Sequence, residues 1–229
     1  MSASPQTIDI EQLAAAIAGR IAGRPVAIVG NAQSLLAGSF GPEIDRKCVV
    51  RMNAGIPSNA AAQGQRVDIH CFSTWPSLQD NLAQVARNAG DRAYFDEALR
   101  VWMSMADRDN PTDERIHFYP EPWWSDLAER LDARPSVGAM VVDLFSRLNV
   151  ADVTLYGFDF KATGTYYRKT QNPGPHDWQR ERQFVQAVAE TNGWAIRMPQ
   201  SDAPQPSDHS TLPAVRTMVA RLGQLWNRK

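Results

Sequence analysis

Cysteine is scarce in this chain. Only Cys48 and Cys71 occur in 229 residues, both within apolar runs read as buried strands, so neither a disulfide framework nor a zinc site is expected. No apolar run reaches the roughly 18 residues that a membrane-spanning helix requires. Excess charge is missing as well. The formal net charge is -1, which argues against a dedicated nucleic-acid binder. The opening residues are polar and acidic up to Glu11, unlike a secretory signal peptide, and a cytoplasmic protein is the expectation. Neither the glycine pattern Gly-x-Gly-x-x-Gly nor a P-loop with its Lys-Ser/Thr is found, and no internal repeat is visible.

What is present is ample apolar material: 43% of the residues are hydrophobic, enough for one domain spanning 1–229. Helical spacing over 9–22 ends at Gly23. Short apolar runs at 25–30, 47–53 and 66–73 read as strands, and runs at 101–105 and 115–120 are further candidates. Helices are expected at 77–90, 122–133, from Ser136 into "AMVVDLFSRL", and at 178–191. Strands are expected at "DVTLYGFDF" (152–160) and "WAIRMP". The Pro- and Ser-rich stretch 200–211 reads as a flexible loop, and a last helix is expected at 213–226. Such alternation predicts an α/β fold: a Rossmann-like three-layer α/β/α sandwich on a mostly parallel sheet. Ligands of such sheets bind at the carboxyl ends of the strands.

Four segments sit at such ends. The first strand runs into Gly30-Asn31, where glycine permits close backbone approach and asparagine both donates and accepts. A second strand delivers Asn53, which can converge with Asn31 on one ligand or simply close a turn before Gly55. "RPSVG" (134–138) opens a core-like helix with Ser136 as N-cap. Gly138 lies in its first turn, where bare N–H groups suit a phosphate. Finally, Asp177 is a good N-cap, which places His176 just before it and Glu181 at the fourth helical position. Those two positions meet in a staple geometry, so Glu181 is expected to hold one ring nitrogen of His176 and leave the other as a base. His70, His117 and His209 lack a comparable carboxylate.

Together these segments resemble the family 29 glycosyltransferases, the animal-type sialyltransferases. "AIVGNAQSLLAGSFGPEIDRKCVVRMNAG" (27–55) resembles the large sialylmotif. "RPSVGAMVVDLFSRLNVADVTLYGFDF" (134–160) resembles the small one, with Pro-Ser-x-Gly and Tyr-Gly-Phe in place. "HDWQRE" (176–181) fits the very small motif, His-x4-Glu. All three occur in order and cover most of residues 26–181.

The resemblance implies a variant GT-A fold and an inverting, metal-independent transfer of sialic acid from a CMP-sugar donor to a glycan hydroxyl, with no cofactor. By residue, it assigns the donor to Gly30, Asn31, Ser34 and Asn53, the ribose and phosphate to Ser136, Val137 and Gly138, and the nucleotide wall to Gly157 and Phe158. It makes His176 the general base, with Glu181 beside it. "DRD" (107–109) spells a metal signature of other glycosyltransferases, but it reads as a solvated turn ahead of Asn110-Pro111.

Several departures matter. Thr165 stands where the family usually has a phosphate-side His, with Arg168 or Lys169 as the expected substitutes. Ser34 replaces a second Asn. The neighbourhoods of the family's paired cysteines hold Pro25 and Leu148 to Val150, as suits a reducing compartment. These changes open the donor to CMP-Kdo, a similar anomeric 2-keto acid, and so to polysaccharide biosynthesis. An inactive CMP- or glycan-binding relative would not need His176 and Glu181 together. An oxidoreductase would need the glycine fingerprint and an acidic ribose reader. On the acceptor side, Trp123 and Trp124 can stack on a sugar or pack into the core. The charged "WNRK" end could touch a membrane surface.

Overall fold

The structure is a computed structural model that describes residues 10–74, 79, 97–106, 108, 116–168 and 174–199. The helix expected at 77–90, most of "DRD", Lys169, His209, the 200–211 stretch and the helix expected at 213–226 lie outside the described residues.

Seven strands form one sheet in the order β5-β4-β3-β2-β1-β6-β7. They are β1 (Val26–Val29), β2 (Cys48–Met52), β3 (Ile69–Phe72), β4 (Leu99–Trp102), β5 (Ile116–Phe118), β6 (Val153–Tyr156) and β7 (Ala195–Arg197). Every pairing is parallel. The central strands are buried on both faces, which is why they appear in the sequence as mostly apolar runs rather than alternating ones, with Arg51, His70, Arg100 and Thr154 as buried polar exceptions. Most strands are trimmed or shifted by a few residues from expectation, β3 for instance starting at Ile69; β4 begins at Leu99 instead of 101, and β6 stops at Tyr156. The stop of β6 has a local cause, because Gly157 takes φ 67° and turns the chain out of the sheet.

The period of two along each strand divides the core. Val26, Ile28, Cys48, Val50, Ile69, Cys71, Val101, Val153 and Leu155 face one cluster. They pack there against α1 (Ile10–Ile21), α4 (Glu121–Leu131), α5 (Val137–Arg147) and α6 (Trp178–Asn192). Ala27, Val29, Val49 and Tyr156 face the other side, against Leu35 and Ile44. Among the described residues that second layer is built from a 3-10 helix (Gln33–Ala37) and two single-turn helices, α2 (Gly41–Ile44) and α3 (Ala60–Gln63). The result is the three-layer α/β arrangement. Cys48 and Cys71 are free and buried, and burial pushes the Cys48 thiol up to about 11.

Helix α5 is buried along nearly its whole length and carries Asp143, a carboxylate only 2% exposed. A buried charge needs close partners. Tyr119 Oη donates to Asp143 Oδ2 at 2.5 Å and Arg147 Nε donates to the same oxygen at 2.6 Å. Arg147 also pairs with Asp126 of α4, so the network fastens α4 to α5. Burial and the neighbouring carboxylate push the Tyr119 phenol far above its ordinary value. Asp143→Ala is expected to lower stability by about 3–5 kcal/mol, since it leaves buried donors without a partner. Tyr119→Phe should cost about 1 kcal/mol, because Arg147 still satisfies the carboxylate. Guanidinium denaturation of the two variants checks this ordering.

Candidate active site

Strand β1 pairs with β2 on one side and β6 on the other. The winding of the sheet therefore reverses between β1 and β6, and a crevice opens beyond their carboxyl ends. Gly30 makes the close approach possible there, and Gly157 makes the turn that follows. Gly30 N–H donates to the Tyr156 carbonyl at 2.7 Å. A Cβ on Gly30 would fall 2.4 Å from the Gly157 carbonyl oxygen. Above this floor lies a cavity of about 350 Å³.

One wall of the cavity is the start of α5. Ser136 caps the helix, accepting from Ala139 N–H at 3.2 Å. Its hydroxyl also donates to Glu181 Oε2 at 2.6 Å, and its N–H donates to Glu181 Oε1 at 2.7 Å. The Ser136 side chain is thus committed within the protein. The N–H groups of Val137 and Gly138, the next two along, have no protein acceptor among the described residues and line the cavity. The positive end of an 11-residue helix is therefore presented to it. Burial pushes the Glu181 carboxyl up to about 7 despite its two donors.

His176 lies on the rim of the same cavity. Its partner is not Glu181, as the helical spacing suggests, but the Arg134 carbonyl, 2.7 Å from Nδ1. Asp177 does cap α6, accepting from Gln179 and Arg180 N–H. Glu181, however, points to Ser136, 45 residues away in sequence. The function of the ring hold survives the change of partner. A carbonyl only accepts, so Nδ1 carries the proton and Nε2 is left as the basic nitrogen. Burial lowers the imidazole below its ordinary value, and the charges of Arg134 and Lys161 lower it further, against the raising effect of the Arg134 carbonyl. Gly174 is a position that the sequence reading missed. It adopts φ 66°, and a Cβ there would fall 2.8 Å from His176 Cδ2.

The remaining candidates fall into two groups. Asn31, Asn53, Gly157, Phe158 and Thr165 line the cavity. Asn31 Nδ2 donates to the Met52 carbonyl at 3.0 Å, and Asn53 Oδ1 accepts from Ser73 N–H at 3.1 Å. Each asparagine therefore ties neighbouring strand ends together while facing the cavity. Ser34 does not line it. Its hydroxyl donates to Asp159 Oδ2 at 2.9 Å and its N–H to Thr163 Oγ1 at 3.0 Å, so it anchors the loop after β6. Of the two tryptophans, Trp124 reaches the cavity. Trp123 packs edge-on to Tyr119, with Arg147 over its ring. Among the described residues, no group of three or more His, Cys, Asp and Glu side chains is arranged to hold a metal ion.

The raised Glu181 has a consequence for stability. A carboxyl whose folded value lies near 7 contributes fully below its unfolded value near 4.5 and loses that contribution as pH rises towards 7. Glu181→Gln removes the titration and keeps the shape. The advantage of wild type over this variant should therefore shrink by about 1–3 kcal/mol between pH 4.5 and 7.5. Paired thermal denaturations at the two pH values measure it, and an unchanged difference would mean that the carboxyl is not held this way.

No protein-family model matches the chain, and no curated protein matches it by sequence. Solved structures do match by fold. A mammalian sialyltransferase aligns at TM-score 0.56 and 19% identity, covering 87% of this chain and 82% of that one. A mammalian sialyltransferase in complex with Gal-beta-1-3GalNAc-ortho-nitrophenol gives 0.54 and 19%, covering 86% and 82%. CstII from Campylobacter jejuni, in complex with the substrate analogue CMP-3FNeuAc, gives 0.50 and 13%, covering 78% and 83%. The chain has a sialyltransferase-like fold.

Proposed function

We propose that the chain is a CMP-sugar-dependent glycosyltransferase that moves a sialic acid, or the related 2-keto acid Kdo, from CMP to a glycan hydroxyl with inversion. One observation carries this reading. The unengaged Val137 and Gly138 N–H groups line the same cavity as an imidazole that is held through Nδ1 with Nε2 as the base. The first feature suits a phosphate, the second an alcohol that must lose its proton. Neighbours of the same fold have been solved with the substrate analogue CMP-3FNeuAc and with Gal-beta-1-3GalNAc-ortho-nitrophenol.

The proposed chemistry closes on these residues. The acceptor hydroxyl gives its proton to His176 Nε2 while its oxygen attacks the anomeric carbon from the face opposite CMP. The bond from that carbon to the phosphate oxygen breaks, and CMP leaves with the electron pair. Only one phosphate gathers charge, and oriented amides and side-chain cations can meet it without a divalent ion. Glu181 acts at one remove: by holding Ser136 it fixes the helix start, and with it the amides of Val137 and Gly138.

His176→Ala is expected to reduce CMP release from CMP-sialic acid or CMP-Kdo by about a hundred- to ten-thousand-fold in the presence of acceptor. Chelation with EDTA should leave the wild-type rate unchanged. Because a protonated imidazole cannot serve as base, kcat/KM should fall as pH drops through a value below 6.5, the ordinary value from which His176 is lowered. If wild type binds CMP but matches the alanine variant in inertness across an acceptor panel, the chain is a binding relative and not an enzyme.

Gly138 gives an independent check on the phosphate wall. A Cβ there would meet only ordinary contacts, the nearest being Phe158 Cε1 at 3.5 Å. The fold itself therefore accepts alanine, which also favours the helix. Gly138→Ala should keep its thermal stability and weaken CMP binding by about tenfold, a difference of about 1.4 kcal/mol. Calorimetric titration with CMP decides the matter, and unchanged affinity would move the phosphate away from this turn.

A further inference from the structure

The loop after β6 presents a lysine whose surroundings call for an anion. Lys161 lines the cavity and is half buried. Its Nζ donates to Thr165 Oγ1 at 2.6 Å and sits 5.5 Å from the centre of the Trp178 ring. These partners are neutral, and no carboxylate pairs with the ammonium among the described residues. The obvious counter-ion, Asp159, is engaged elsewhere. It accepts from Ser34 Oγ, Thr163 N–H, Thr163 Oγ1 and the backbone N–H of Lys161.

The backbone is shaped to deliver this group. Phe160 and Lys161 both lie in the left-handed region, at φ 53° and 65°. Non-glycine residues in this region are strained and persist only when their surroundings enforce it. Here the Asp159 hydrogen bonds enforce it. The loop is pinned on its far side as well, where Gln33 N–H donates to the Gly164 carbonyl at 2.7 Å and Tyr166 N–H to the Asn31 carbonyl at 3.1 Å. A partly desolvated ammonium is thereby held over the cavity with no carboxylate at ion-pair distance among the described residues and only the more remote attraction of Asp159, a placement that a bound anion improves.

We propose that Lys161, steadied by Thr165, is the cation that binds the donor phosphate and stabilises the charge that gathers on it as CMP leaves. The proposal rests on the CMP-sugar reading and specifies its phosphate side. It assigns that task to a lysine on the loop itself, four residues before Thr165. Arg168, the substitute expected from the sequence, is exposed at the edge of the cavity, as is Arg134. Lys161 stays protonated throughout. It donates a hydrogen bond to the phosphate oxygen that receives the electron pair of the breaking bond, and Thr165 Oγ–H, its acceptor side already filled by Nζ, can donate a second. The charge of Lys161 also acts on the base, since it helps to hold His176 below its ordinary value.

The test compares CMP with cytidine, which lacks the phosphate. Lys161→Met should weaken CMP binding by about tenfold to a hundredfold, the range for a hydrogen bond to a charged group. It should leave cytidine affinity unchanged and lower kcat with CMP-sugar donors, while Lys161→Arg restores part of the CMP affinity. A purely structural role for Lys161 would weaken cytidine and CMP together, and that result overturns the proposal. Equal CMP affinity in wild type and Lys161→Met also overturns it, while leaving the donor reading in place. Failure of wild type itself to bind CMP would remove the donor reading and this proposal with it.

Discussion

Everything at the candidate site depends on how closely β1 and β6 approach at their carboxyl ends. There the sheet reverses its winding, and a Gly30 Cβ would collide with the Gly157 carbonyl oxygen at 2.4 Å. Because Gly30 has no side chain, the two strand ends can lie side by side, with the Gly30 N–H bonded to the Tyr156 carbonyl. Gly157 then turns at φ 67° and sends the loop carrying Asp159, Lys161 and Thr165 back across the first strand. The antiparallel bridge between Ala32 and Thr165 records that return. A larger residue at Gly30 would separate the strand ends, and one at Gly157 would strain the positive φ and press on Leu35 at 3.0 Å, so the loop would lose its seat against Gln33 and Asn31.

The electrostatics follow from which groups the fold has already satisfied. The chain is nearly neutral overall, and two carboxylates border the cavity, so net charge alone gives no reason to expect an anion site. Yet Asp159 holds its own loop, and Glu181 holds Ser136. Both acids are turned into structural acceptors. What faces the cavity without a charged partner is positive: two amides at a helix start and the Lys161 ammonium. Buried or half-buried groups of this kind interact far more strongly with a ligand than exposed ones do, because little water screens them.

The core strands were legible because a parallel strand buried on both faces is mostly apolar, and "VAIV", "CVVRM" and "VTLY" are short runs of that kind, Arg51 and Thr154 apart. The site was partly legible for a related reason: Gly30, Gly138, Asn53 and His176 follow strands or start helices, where local patterns locate them. The errors share one origin. Spacing along α6 suggested that Glu181 would meet His176, but the carboxylate instead reaches Ser136 across 45 residues. Ser34 was read as a ligand contact and is a tether for Asp159. Lys161 passed unnoticed inside a polar loop. Each outcome is set by hydrogen bonds between segments distant in sequence, and no periodicity encodes those. Gly174 alone carried a usable hint, since glycine just before a Pro-His pair marks a turn that must leave room for the ring.

The same positive charges have two effects that reinforce each other in the proposed reaction. A base must be neutral to accept a proton, and Arg134 and Lys161 favour the neutral imidazole by repelling its protonated form. Without a donor, that repulsion keeps His176 ready but makes it a weaker base. A bound phosphate cancels part of the charge on Lys161, which lifts the repulsion and lets His176 accept the acceptor's proton at lower cost. In the proposed reaction, proton abstraction would thereby be coupled to donor occupancy through Coulomb interactions. The coupling needs Lys161 close to the base, and both groups pack against Trp178: the ammonium 5.5 Å from its ring and His176 at 5.1 Å between ring centres.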